Sequence, residues 1–170
     1  MSKCLWLVVA LLFLGCARNY DSPPAELGYL KGSREGNTSL YEVSFSSAVD
    51  FLNIFEQNKR PISSMLRCSL EGGEVSMDHE ADQYSASGLV PVTQAVRHGD
   101  TWVYRSALSF YESLNGGRSM RALKGDELRR VLQGKQFVPC VYTATAYGFK
   151  SYRSGVLQIP TADILYGLNE

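Results

Sequence analysis

The sequence predicts an α+β fold: a mainly antiparallel sheet with two or three short helices packed on it. Three observations carry that expectation. Residues 101–114 and 137–149 sort their side chains onto two faces by two-residue parity, as strands do. Glycine pairs at Gly72-Gly73 and Gly116-Gly117 mark turns between such runs. Helical spacing is confined to three short stretches, so the order reads βαββ…ββαββα, with few crossovers of the kind a parallel sheet needs.

The elements follow in chain order. Residues 27–36 hold Gly28, Gly32 and Gly36 and read as a turn-rich approach. Leu40, Tyr41, Val43 and Phe45 among polar residues predict a strand over 40–45. Ser46 or Ser47 then caps a helix over 48–58, with Val49, Leu52 and Phe55 on one face and Phe51 and Ile54 widening it. Pro61 stops it. Residues 62–70 form the next strand and carry Cys68; 74–77 continue as a short strand, and polar, aperiodic 78–87 reads as a loop. Strands over 89–96 and 101–114 come next. In the second, Trp102, Tyr104, Leu108 and Phe110 share one face. Gly125-Asp126 opens a helix with Asp126 as cap, Leu128, Val131 and Leu132 as its apolar face and Gly134 at its C-terminal end. The run 137–149 puts Val138, Cys140, Tyr142, Ala144 and Ala146 on one side. A last strand at 156–159 ends at Pro160, and Thr161 caps a helix over 162–168. Helix followed by a cysteine-bearing strand thus occurs twice, which brings Cys68 and Cys140 onto comparable strands.

The first sixteen residues read as an export signal. Lys3 gives a basic start, residues 5–14 are apolar, and Gly15-Cys16 closes the run. Ten apolar residues are too few to span a bilayer, which takes about 20. Phe13-Leu14-Gly15-Cys16 resembles the lipobox of bacterial lipoproteins, with Phe13 where Leu is usual. The resemblance implies cleavage before Cys16, lipid on its thiol and an acylated amine. Ala17 and Arg18 follow, where inner-membrane retention usually involves Asp, so the same resemblance favours the outer membrane of a Gram-negative envelope, facing the periplasm. The expected organisation is a signal peptide at 1–15, a lipidated cysteine and polar tether at 16–26, and one α+β domain at 27–170.

Lys3 is the only charge in residues 1–15, so 16 of the 17 Lys and Arg remain, against 17 Asp and Glu. A near-neutral chain lacks the basic stripe that nucleic acid requires. It also lacks a polybasic hold on lipid, which leaves the acyl chains as the membrane anchor. With Cys4 in the leader and Cys16 lipidated, Cys68 and Cys140 are left in an oxidising compartment. The ordinary reading is one disulfide. The alternative, Cys140 as nucleophile, would need His79 or His98 as its base.

Two stretches stand out as contact surfaces. Tyr147, Phe149, Lys150, Tyr152 and Arg153 interleave aromatics with cations across an expected hairpin, a composition enriched at interface hot spots. Its ordinary reading is a hairpin whose aromatics fold back on the sheet. Glu71, Glu74, Asp78, Glu80 and Asp82 make an acidic stretch around His79, suited to a basic protein surface or simply to solvent. As a metal site it is poor in nitrogen and sulfur ligands and lacks the glycine and twelfth-position Glu of a calcium loop. No catalytic set assembles: Gly32-Ser33-Arg34-Glu35-Gly36 keeps only the outer glycines of a nucleophile elbow pattern, and no phosphate loop, His-Glu-x-x-His or Cys-x-x-Cys occurs. No cofactor is implied.

The expected function is therefore binding: an anchored lipoprotein that captures another protein. The stretch from Phe137 to Ala146, with Leu157-Gln158-Ile159-Pro160 after it, resembles periplasmic immunity lipoproteins of type VI secretion. That resemblance implies neutralisation of a toxic effector such as a phospholipase or wall hydrolase. The alternatives are an accessory or assembly lipoprotein of an envelope machine and, third, an envelope hydrolase.

Overall fold

A computed structural model describes residues 17–18, 22–34, 38–56, 58–73, 75 and 82–168. Among them, nine strands form: β1 (Gly28–Arg34), β2 (Tyr41–Ser47), β3 (Ser63–Ser69), β4 (Tyr84–Leu89), β5 (Val96–His98), β6 (Thr101–Leu114), β7 (Ser119–Ala122), β8 (Phe137–Thr145) and β9 (Tyr152–Pro160). Two helices, α1 (Gly125–Leu132) and α2 (Thr161–Gly167), accompany them. Every strand pairing is antiparallel, in the order β1-β2-β6-β4-β3-β8-β9, with β5 and β7 joined to opposite ends of β6. The result is mainly antiparallel sheet, curled into a half-barrel.

Alternation explains the curl's filled side. Tyr104, Leu108 and Phe110 of β6 are buried, as are Val138, Cys140, Tyr142 and Ala144 of β8 and Tyr41, Val43 and Phe45 of β2. β6 has the bounds its pattern predicts. Gly88 of β4 allows a close approach to β6, since a Cβ there would lie 2.3 Å from the Ala107 carbonyl oxygen. Cys68 and Cys140 face each other in the β3–β8 register and form a disulfide. Cys140 is therefore no free nucleophile.

Residues 48–56 are not a helix. They run as turns and bends and push Phe51 into the half-barrel, where its ring stacks on Tyr142 with centroids 4.0 Å apart. Side chains take the backbone groups that a helix would use. The Ser47 hydroxyl accepts from the Val49 N–H at 3.1 Å, and the Asp50 carboxylate from the Leu52 N–H at 3.0 Å. The Tyr104 hydroxyl accepts from the Phe51 N–H and donates to the Val49 carbonyl, both at 2.9 Å. Such local bonds compete directly with helix hydrogen bonds. With this helix absent, the repeated helix-then-cysteine-strand pattern is absent as well.

Other boundaries also move. The glycine-rich 28–34 is a strand, β1, because β2 offers it an edge to pair with. Part of the expected 78–87 loop is β4, and the expected strand at 89–96 is instead its last residue, a 3₁₀ turn at Val92–Gln94 and the start of β5. In α1, Lys124 occupies the cap position, and the Glu127 carboxylate accepts its N–H at 2.9 Å; Asp126 lies inside the first turn. Thr161 is likewise the first residue of α2, not its cap.

Of the expected tether at 16–26, the described residues 17–18 and 22–26 are hydrogen-bonded to the folded domain at Arg18 and Ala25. Ala25 is buried, its carbonyl accepts the Gly155 N–H at 2.9 Å, and its own N–H donates to the Tyr152 hydroxyl at 2.8 Å. This segment closes the seam between β1 and β9. Further upstream, the Arg18 N–H donates to Gly148 O at 2.8 Å, and the Lys150 N–H donates to Arg18 O at 2.9 Å. The leader, Cys16 included, lies outside the described residues.

Candidate functional site

The half-barrel has two ends, separated by the length of β8, roughly 26 Å for the eight steps of about 3.3 Å between its nine residues. One end holds the turn after β8, with Arg18 paired to it. The other holds α1, α2 and β7.

At the first end, the Tyr147–Arg153 stretch divides. Tyr147 is 81% exposed on the turn, and Lys150 is exposed beside it. Phe149 is half-buried, its ring 5.3 Å from that of Phe55. Tyr152 is 0% exposed, so it is a core residue that no partner can touch. Its hydroxyl also donates to the Pro23 carbonyl at 3.0 Å. Arg153 donates to the Val75 carbonyl at 2.7 Å, which fixes the segment after β3 rather than presenting the guanidinium outward. Of this set Tyr147 and Lys150 are exposed, Phe149 and Arg153 are partly exposed, and Tyr152 alone is buried.

The acidic stretch leaves β3 at the second end. The Glu71 carboxylate accepts the Gln83 N–H at 3.1 Å, holding the base of the loop, and Asp82 is half-buried. Glu74, Asp78, His79 and Glu80 lie outside the described residues. Among the described residues no group of three His, Cys, Asp or Glu could hold a metal ion. His98 is exposed on β5.

An apolar pocket of about 420 Å³ also opens at the second end. Leu40 and Tyr41, Phe110, Ala122 and Leu123, Leu128 of α1, and Ile164 and Leu168 of and after α2 line it. Arg34 and Lys124 are the cations in its lining. Beside it, Arg121 pairs with Glu127 at 2.8 Å and with Glu112, which also accepts from Gln83 at 3.3 Å. The Lys124 N–H and Arg121 hold Glu127 below its ordinary pKa, and Arg121 does the same for Glu112. Both glutamates thus stay anionic, locking β7 to α1 at the pocket's edge. The pocket draws on segments spread from Arg34 to Leu168, so no local motif marks it in the sequence.

The same end holds two coupled tyrosines. The Tyr29 hydroxyl donates to Asp163, and burial, then that bond, raises its pKa. Burial pushes Tyr41 up to about 12. Tyr104 and Tyr142 are raised by burial too. Unfolded tyrosines ionise near 10. Above that pH the unfolded chain binds fewer protons than the folded one, so stability is intact below pH 10 and falls as pH rises. At about pH 11, unfolding with denaturant should release a step of phenolate absorbance. A folded protein already showing all ten tyrosines ionised there would contradict these environments.

No protein-family model matches the chain, and no curated protein or solved structure matches it either. Among the described residues no helix is long and apolar enough to cross a membrane.

Proposed function

We propose that this chain is a binding protein, anchored through lipid on Cys16 to the outer membrane of a Gram-negative envelope, that captures a partner protein in the periplasm. Its most specific form is an immunity protein that neutralises a secreted toxic effector. The observation that carries the reading is the polarity of the fold. Arg18, two residues from Cys16, is paired to one end of the half-barrel, while the apolar pocket and the base of the acidic stretch belong to the other. Anchoring at one end leaves the opposite end available to an incoming protein and concentrates it there. The pocket suits an apolar anchor side chain of the partner, Arg34 and Lys124 suit acidic groups around it, and Glu71 and Asp82 suit basic ones. Tyr147 and Lys150 leave the partner surface under this reading.

Filling the pocket tests it. Ala122 is exposed on β7 and lines the pocket, so Ala122→Trp occupies the space without disturbing the core. Detergent-solubilised full chain should retain an envelope protein, and Ala122→Trp should retain it at least about thirtyfold less, the loss typical of a hot spot. Tyr147→Ala should bind as wild type. Equal binding by Ala122→Trp would remove the pocket from the site. Turnover of an envelope substrate, abolished by one side-chain change, would replace binding with catalysis. A toxin gene beside this one would favour immunity over an accessory role in an envelope machine.

A further inference from the structure

Three of the most exposed large apolar side chains mark the ends of three adjacent strands. Leu89, 69% exposed, ends β4; Ile62, 58% exposed, precedes β3; Tyr147, 81% exposed, follows β8. The Ile62 N–H donates to the Thr145 carbonyl at 2.8 Å, and Phe55 packs on Phe149, so Phe55 and residues 58–62 run beside the β8 turn. That placement brings Lys59 and Arg60, both exposed, to the end that already carries Arg18 and Lys150, with Glu56 as the acid among them. Apolar side chains thus project amid cations at one end of the sheet.

We propose that this rim lies on the bilayer, with Tyr147, Leu89 and Ile62 at the boundary between headgroups and acyl chains and the cations against headgroup phosphates. The inference rests on the lipid anchor proposed above. Arg18 is hydrogen-bonded to the turn through both its N–H and its carbonyl, and two residues span at most about 7 Å. A lipidated Cys16 therefore holds this rim within reach of the membrane surface. Tyrosine is enriched at that depth because its ring is apolar and its hydroxyl stays hydrated. Anionic lipid attracts cations held near its surface. Acyl chains on Cys16 alone would leave the domain free to tumble; the rim fixes its orientation and turns the pocket end outward.

The test uses the lipidated mature chain, which begins at Cys16 and so lacks Trp6, with Trp102→Phe as background, in vesicles of phosphatidylcholine and phosphatidylglycerol that carry bromine on their acyl chains. Tyr147→Trp should lose most of its emission to bromine quenching, whereas Tyr166→Trp, on α2 at the opposite end and 67% exposed, should lose little. Replacing Arg18, Lys59, Arg60 and Lys150 by Gln should reduce the quenching of Tyr147→Trp. Mass spectrometry of the same samples reports lipid on Cys16. Equal quenching at both positions in protein whose mass shows that lipid would overturn the docked rim and leave the anchor standing. Protein without lipid would overturn the anchor and the rim together.

Discussion

Replacing Cys68 and Cys140 together by Ala should lower stability by about 4 kcal/mol and the melting temperature by about 8–16 °C. The bond joins residues 72 apart, and every element from β4 to α1 lies in the loop it closes. In the unfolded chain that constraint removes configurations that the reduced chain regains. In the folded chain the two residues already face each other across β3 and β8, so the sheet keeps its pairing when sulfur is removed. The loss should therefore appear in the melt and in denaturant titration, with the antiparallel circular-dichroism signature of the fold retained at low temperature. Thiol titration of unfolded, unreduced mature protein should find neither cysteine free. Both sulfurs are buried, so in native protein the bond should resist reductant until the chain opens. A double variant that melts with wild type would mean that other contacts already restrict the loop in the unfolded state.

How far the chain could be read in advance depended on the range of the forces that fix each part. β6 and β8 were legible because two-residue alternation is a local record of which side meets the core, and it held at Tyr104, Leu108, Cys140 and Tyr142. Residues 48–56 carry helical spacing yet form turns, and Phe51 and Ile54 are buried there all the same. The Ser47 and Asp50 bonds that compete with a helix there are local, but the Tyr104 hydroxyl that joins them is more than 50 positions away. Pairing also rescued β1, whose glycines argue against a strand until an edge is supplied. The candidate site was less legible than the fold. The aromatic-cationic composition of 147–153 was visible, but burial splits it: Tyr152 enters β9 while Tyr147 stays on the turn. The pocket was invisible, because Arg34, Phe110, Lys124 and Leu168 meet only after the sheet has curled.

Tyr152 gives the most direct contest between the composition of that stretch and its burial. As an interface anchor it would weaken binding when truncated and leave the melt unchanged. Its place in the core predicts the reverse. Tyr152→Ala should cost about 3–5 kcal/mol, the range for removing a large buried ring, and lower the melting temperature by about 6–20 °C. The ring centroid lies 6.2 Å from that of Phe51 and 6.3 Å from that of Tyr142, so its removal opens a cavity in the aromatic cluster. Loss of the hydroxyl also strands the Ala25 N–H and the Pro23 carbonyl at the β1–β9 seam. Tyr152→Phe separates the two contributions. It keeps the ring and orphans the backbone, at about 1–3 kcal/mol. Because those groups hold the chain leading from Cys16, Tyr152→Phe should also make the segment around Pro23 and Ala25 more sensitive to protease. Tyr147→Ala, five residues earlier and on the open turn, should change neither melt nor cleavage. A Tyr152→Ala protein with wild-type stability and lost partner capture would restore Tyr152 to the surface and dissolve the pin at the seam.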